Sequence, residues 1–138
     1  MKLTVRQKED FHFIGKGESG IEVPIDAAGY VGGKGRGVRP PELLFHSIAG
    51  CMGIHVYEAL HKAGKHVEDI VVNTDSERKD TYPKVFTKIY LDFTIKGKDL
   101  TEEDVKEAIE TALNKTCSIA YMINQVAPIS YTFKIEKG

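Results

Sequence analysis

Two cysteines, Cys51 and Cys117, are the side chains in this sequence best suited to nucleophilic or redox chemistry. Cys51 sits in Pro40-Pro41-Glu42-Leu43-Leu44-Phe45-His46-Ser47-Ile48-Ala49-Gly50-Cys51-Met52-Gly53, and Cys117 in Asn114-Lys115-Thr116-Cys117-Ser118-Ile119. Cysteines this far apart form no CxxC redox pair and cannot by themselves fill a four-ligand zinc site. If the helices that carry them pack together, the two thiols form a dithiol–disulfide couple. If not, each is a small buried hydrophobe, the ordinary role of a cysteine on an apolar helix face.

Three further groups bear on the thiols. His55 follows Cys51 by four residues, one helical turn along the same face. It is a candidate base, or a third metal ligand beside Cys51 and Cys117, and the plainer alternative is a half-buried histidine bonded to a carbonyl or water. Arg36 and Arg39 lie in the glycine-rich segment Gly29–Arg39 that feeds the Cys51 helix, and a guanidinium near Cys51 would favour its thiolate. That segment is either a flexible loop or an arm that delivers one of these arginines. It is not a phosphate cradle: Gly32-Gly33-Lys34 is followed by Gly35 where a Walker loop needs Ser or Thr, and the segment lacks GxGxxG spacing.

The elements that must position these residues read off the periodicity. Alternation predicts short strands over Lys2–Lys8, Phe11–Ile14 and Ile21–Ile25, an antiparallel meander. Pro40 to Ala63 reads as one long helix, with proline in its first turn, Glu42 at its positive end and Gly64 as its stop. Gly50 and Gly53 each cost that helix about 1 kcal/mol relative to alanine, which suggests close approach of a backbone or ligand beside Cys51. Strands follow over Val67–Arg78 and Val85–Ile95, joined by a turn at Asp80-Thr81-Tyr82-Pro83. Thr101 opens a capping-box helix running to about Lys115, Cys117–Asn124 forms a short helix, and Ile129–Ile135 closes the chain as a strand. This order, βββ-α-ββ-α-α-β, specifies an α+β domain built on an antiparallel sheet.

Bulk properties bound the function. A chain of 138 residues, 41% hydrophobic and 28% charged, is a soluble globular protein with one domain over 1–138. A net charge of −1 leaves no electrostatic footprint for nucleic acid. No signal peptide and no window resembling a membrane span are expected, which places the protein in the cytoplasm, where thiols stay reduced.

Taken together, Pro40-Pro41-Glu42-Leu43-Leu44 leading to Ala49-Gly50-Cys51, Cys117 opening a short helix and the order of elements around them resemble the OsmC/Ohr family of thiol peroxidases. The resemblance spans nearly the whole chain. It implies an OsmC-like fold, antiparallel sheets wrapped around long central helices in an intertwined homodimer. It also implies reduction of organic hydroperoxides without metal or cofactor, with Cys51 as peroxidatic and Cys117 as resolving cysteine, regenerated by an external dithiol. In the family's best-studied branch an arginine polarises the peroxide and stabilises the thiolate, and a glutamate holds that arginine; the candidates for those roles here are Arg39, then Arg36, with Glu42. The family glutamate stands ten residues before the cysteine, where this chain has Pro41, so Glu42 is displaced about 100° around the helix. Ser118 also replaces the proline that many relatives place after the second cysteine. The alternative function is a non-catalytic protein binding an apolar small molecule in the dimer cavity.

Overall fold

A computed structural model describes residues 1–138. The chain forms two compact units, Met1–His46 and Ser47–Gly138. In the first, β1 (Leu3–Glu9), β2 (His12–Gly17) and β3 (Glu22–Ile25) make the expected antiparallel meander in the order β1-β2-β3. The turn between β1 and β2 places Asp10 at φ 52, a left-handed conformation that a short polar side chain tolerates.

The glycine-rich segment after β3 is folded back onto that sheet rather than left free. Val38 forms a parallel bridge with Ile25: its N–H donates to the Pro24 carbonyl at 2.9 Å, and its carbonyl accepts from Asp26 N–H at 3.1 Å. Any Cβ at Gly37 would collide with the backbone of Pro24 and Ile25, so this close approach requires glycine there.

Helix α1 (Pro40–Lys62) begins in the first unit and runs into the second. It ends at Gly64, whose φ of 76 suits a helix stop. The second unit continues with β4 (His66–Arg78), β5 (Phe86–Lys98), α2 (Glu102–Thr111), a π-helical turn (Ala112–Thr116), α3 (Ser118–Asn124) and β6 (Ile129–Lys137). Strand order is β4-β5-β6. The hairpin β4–β5 is antiparallel as expected, but β6 joins β5 in parallel, so this sheet is mixed. Its helical crossover explains the difference: α2 and α3 carry the chain back to the end of the sheet where β5 began, which an antiparallel neighbour would not need.

The core of this unit follows from three periodicities. On β5 the alternate residues Ile89, Leu91, Phe93 and Ile95 are buried while Lys88, Asp92 and Lys96 face solvent. On α2 the buried stripe is Val105, Ala108, Ile109, and on α1 it is Ile48, Met52, Val56 and Leu60 in four-residue steps. The capping box predicted for α2 is present: Thr101 Oγ1 accepts from Asp104 N–H at 3.1 Å, and Asp104 Oδ2 accepts from Thr101 N–H at 3.1 Å. Helix α1 corrects one expectation. By length and composition it is apolar enough to cross a membrane. Its buried stripe instead supplies core to the second unit.

Candidate thiol site

Cys51 and Cys117 meet. Helix α1 supplies Cys51, which is half-buried, and the start of α3 supplies Cys117, which is 1% exposed. Their side chains are hydrogen-bonded, and both are free thiols. The π-helical turn sets the second sulfur in place. It closes with Cys117 N–H donating to the Ala112 carbonyl at 2.8 Å, five residues back, instead of continuing α2 at regular pitch. Cys117 therefore stands outside α2 and caps α3, with Sγ accepting from Ala120 N–H at 3.3 Å.

The environment divides the two thiols chemically. Burial pushes the Cys117 thiol up to about 11, and the hydrogen bond to Cys51 acts in the same direction. The amides of Ala120 and Ile119 pull the other way and are outweighed. Near neutral pH Cys117 is a neutral S–H beside the Cys51 sulfur. The flanking glycines are not forced by a close neighbour within the chain. A Cβ at Gly50 would meet nothing within 4 Å, and one at Gly53 would touch only Val72 Cγ2, at an ordinary 3.7 Å.

The arginines lie in the first unit in different states. Arg36 is held by Asp26, which is 1% exposed: Arg36 Nε donates to Asp26 Oδ2 at 3.0 Å, and Nη1 lies 3.5 Å from Glu9 Oε2. The same carboxylate accepts backbone N–H groups of Ala27, Lys34 and Arg36 at 2.8, 3.0 and 3.1 Å. Arg36 hydrogen bonding, backed by these amides, holds the Asp26 carboxyl well below the usual carboxylate range against the opposing effect of burial. Arg36 is thus a structural clasp of the glycine-rich segment. Arg39 is exposed, its carbonyl accepting from Glu42 N–H at 2.9 Å as α1 begins, and its guanidinium has no ion pair. Glu42 is exposed in the first helical turn.

Asp26 is the residue that periodicity does not reveal, since one aspartate after a strand looks like a turn residue. Its depressed folded-state value stabilises the fold above the unfolded carboxylate value of about 3.9, and that contribution is lost as pH falls. Asp26→Asn is therefore expected to be less stable than wild type at pH 7, with the difference narrowing at pH 3. Urea unfolding of both proteins at the two pH values measures this.

The family profile described as OsmC-like protein matches residues 33–132, which include both cysteines, Arg36, Arg39 and Glu42. The chain belongs to the OsmC-like protein family. It is 31% identical over 135 residues to Protein YhfA of Escherichia coli K12, with 98% of each chain covered. A hypothetical protein from Aquifex aeolicus VF5 has the same fold, with TM-score 0.88 at 22% identity over 99% of this chain and 96% of that one. The organic hydroperoxide resistance protein OhrB of Bacillus subtilis shares it at TM-score 0.64 and 18% identity, with 96% of each chain covered.

In this OsmC-like chain His55 lies on α1 with its Nδ1 shielded from water, 3.5 Å from Glu58 Oε1 and without a hydrogen bond. Cys51, His55 and Cys117 do not gather into a group with metal-ligand geometry.

Proposed function

We propose that this OsmC-like protein is a thiol peroxidase that reduces organic hydroperoxides, with hydrogen peroxide as a further substrate, in oxidative-stress defence. The observation that carries this reading is the hydrogen-bonded pair of free thiols, one half-buried and one sealed. Cys51, the accessible member, attacks the distal peroxide oxygen as a thiolate, the O–O bond breaks, and an alcohol leaves behind Cys51 sulfenic acid. Cys117 then attacks that sulfur, water leaves, and a Cys51–Cys117 disulfide remains for an external dithiol to reduce.

The unpaired guanidinium of Arg39 is assigned to stabilise the thiolate and the peroxide, with Glu42 orienting it; Arg36 is second choice because Asp26 already holds it. No metal or cofactor enters the scheme. The name of the Bacillus subtilis neighbour supports the choice of organic hydroperoxides. Residues 1–138 act as one domain, in a cytoplasmic homodimer of the kind the family resemblance implies. Exposed Ile54 and Tyr57 on α1, and Tyr121 and Met122 on α3, supply apolar surface for such a partner.

The test is a thiol count. One equivalent of an organic hydroperoxide added to reduced protein is expected to consume both thiols and yield a Cys51–Cys117 cross-link on peptide mapping. Retention of both thiols would end the peroxidase reading and favour the apolar-ligand carrier.

A further inference from the structure

Cleaving a hydroperoxide at its O–O bond releases an alkoxide, a strongly basic leaving group that needs a proton in the transition state. Cys117, the group in contact with Cys51, is a poor source, because burial holds its proton tightly and the next step consumes that thiol as nucleophile. Another titratable side chain stands beside Cys51 on its own helix.

Cys51, His55 and Glu58 follow one another on α1 in steps of four and three, which places them along one face. Side chains at such spacing have Cβ atoms about 5–6 Å apart. Helical side chains generally lean toward the N-terminus, the direction in which Cys51 lies from His55. His55 Nδ1 faces Glu58 Oε1 at 3.5 Å. With Nδ1 directed to Glu58, Nε2 is the imidazole nitrogen assigned to Cys51. The second oxygen of Glu58 is 3.7 Å from Lys62 Nζ, an ion pair four residues along the same helix. A surface ion pair at this spacing would contribute little and would be hydrated. Here Nδ1 is sealed from water although it lacks a hydrogen-bond partner, and a small rotation toward Glu58 would supply one.

We propose that His55 is the general acid of the peroxide step, with Glu58 as the positioning residue that holds its ring. The assignment rests on the peroxidase reading of Cys51. Solvent takes the proton of the Cys51 thiol; the thiolate sulfur gives two electrons to the distal oxygen and forms the S–O bond. The O–O bond breaks, the alkoxide takes a proton from Nε2, and solvent returns one to His55. Cys51 thiol and ROOH thus become Cys51 sulfenic acid and ROH, with His55 returned to its starting state.

General acid catalysis predicts a dependence on leaving group that a structural role does not. Single-turnover oxidation of full-length reduced protein is to be followed with tert-butyl hydroperoxide, which expels an alkoxide, and with a peracid, which expels a carboxylate. His55→Gln is expected to slow the first by about a hundredfold and the second by less than about threefold. Glu58→Gln is expected to give the same selectivity at smaller amplitude, and added imidazole to restore alkyl hydroperoxide reduction in His55→Ala. Equal losses on both oxidants, or no loss on either, overturn the role of His55 while Cys51 oxidation in wild type leaves the peroxidase reading standing. Wild-type Cys51 inert to both oxidants overturns the two together.

Discussion

Cys51→Ser is expected to lose peroxide consumption by at least about a thousandfold, because removing a covalent nucleophile removes the reaction path itself. Cys117→Ser should behave differently. Its Cys51 still meets peroxide, so one equivalent is consumed at a rate close to wild type, and turnover then stops. Without the second sulfur the sulfenic acid persists, and further peroxide carries it to the sulfinic acid, which ordinary dithiols do not reverse. Intact mass should accordingly show gain of one oxygen and then two in Cys117→Ser, against loss of two hydrogens in wild type. The contrast depends on the two sulfurs being in contact. If Cys117→Ser turned over like wild type with a dithiol, an external thiol would be resolving Cys51 directly. Cys117 would then be a buried cap of α3 and nothing more.

Much of this architecture is legible from periodicity because burial imposes it. The alternation at Ile89, Leu91, Phe93 and Ile95 and the four-residue steps at Ile48, Met52, Val56 and Leu60 are the footprints of a sheet and a helix hiding one side each. Thr101 and Asp104 announced their helix start because cap chemistry is local. What stayed hidden was set by contacts distant in sequence. The parallel pairing of β6 depends on where α2 and α3 deliver the chain, and residues Ile129–Lys137 carry no mark of strand direction. The π-helical turn at Ala112–Thr116 is likewise a tertiary outcome, since Asn114 and Lys115 would sit equally well on a regular helix.

The candidate site shows the same division. The sequence leaves open whether Cys51 and Cys117 meet, because that depends on how their helices pack; in the structure the two thiols interact. The glycine-rich segment was legible only as glycine-rich. Its shape depends on Asp26 gathering the amides of Lys34 and Arg36, a long-reach clasp that turns a loop into a fixed element. One consequence is a ranking of the two arginines by what already holds them: Asp26 and Glu9 occupy Arg36, whereas Arg39 has no ion pair.

Formation of the disulfide should be strongly pH-dependent, and Cys117 sets the sign. Its thiol is pushed up to about 11, chiefly by burial. The attacking species is the thiolate, which at pH 7 makes up about one part in ten thousand of such a thiol, so the resolving rate should rise about tenfold per pH unit from 7 to 10. The greater nucleophilicity of a more basic thiolate recovers only about tenfold of this deficit, because reactivity grows with about half the power of basicity. Oxidation of Cys51 to the sulfenic acid removes the hydrogen bond between the thiols but not the burial, so the larger cause survives into the step that matters. The same displacement weakens the fold in alkali: the unfolded chain ionises first, near 9, and the stability gained from a neutral Cys117 is lost as pH rises toward about 11. Rapid mixing of reduced protein with one equivalent of peroxide, quenched with a thiol-alkylating reagent at several pH values, separates sulfenic acid formation from disulfide formation. A disulfide rate flat between pH 7 and 10 would mean that Cys117 loses its proton within the attack itself, most simply to the hydroxide leaving Cys51.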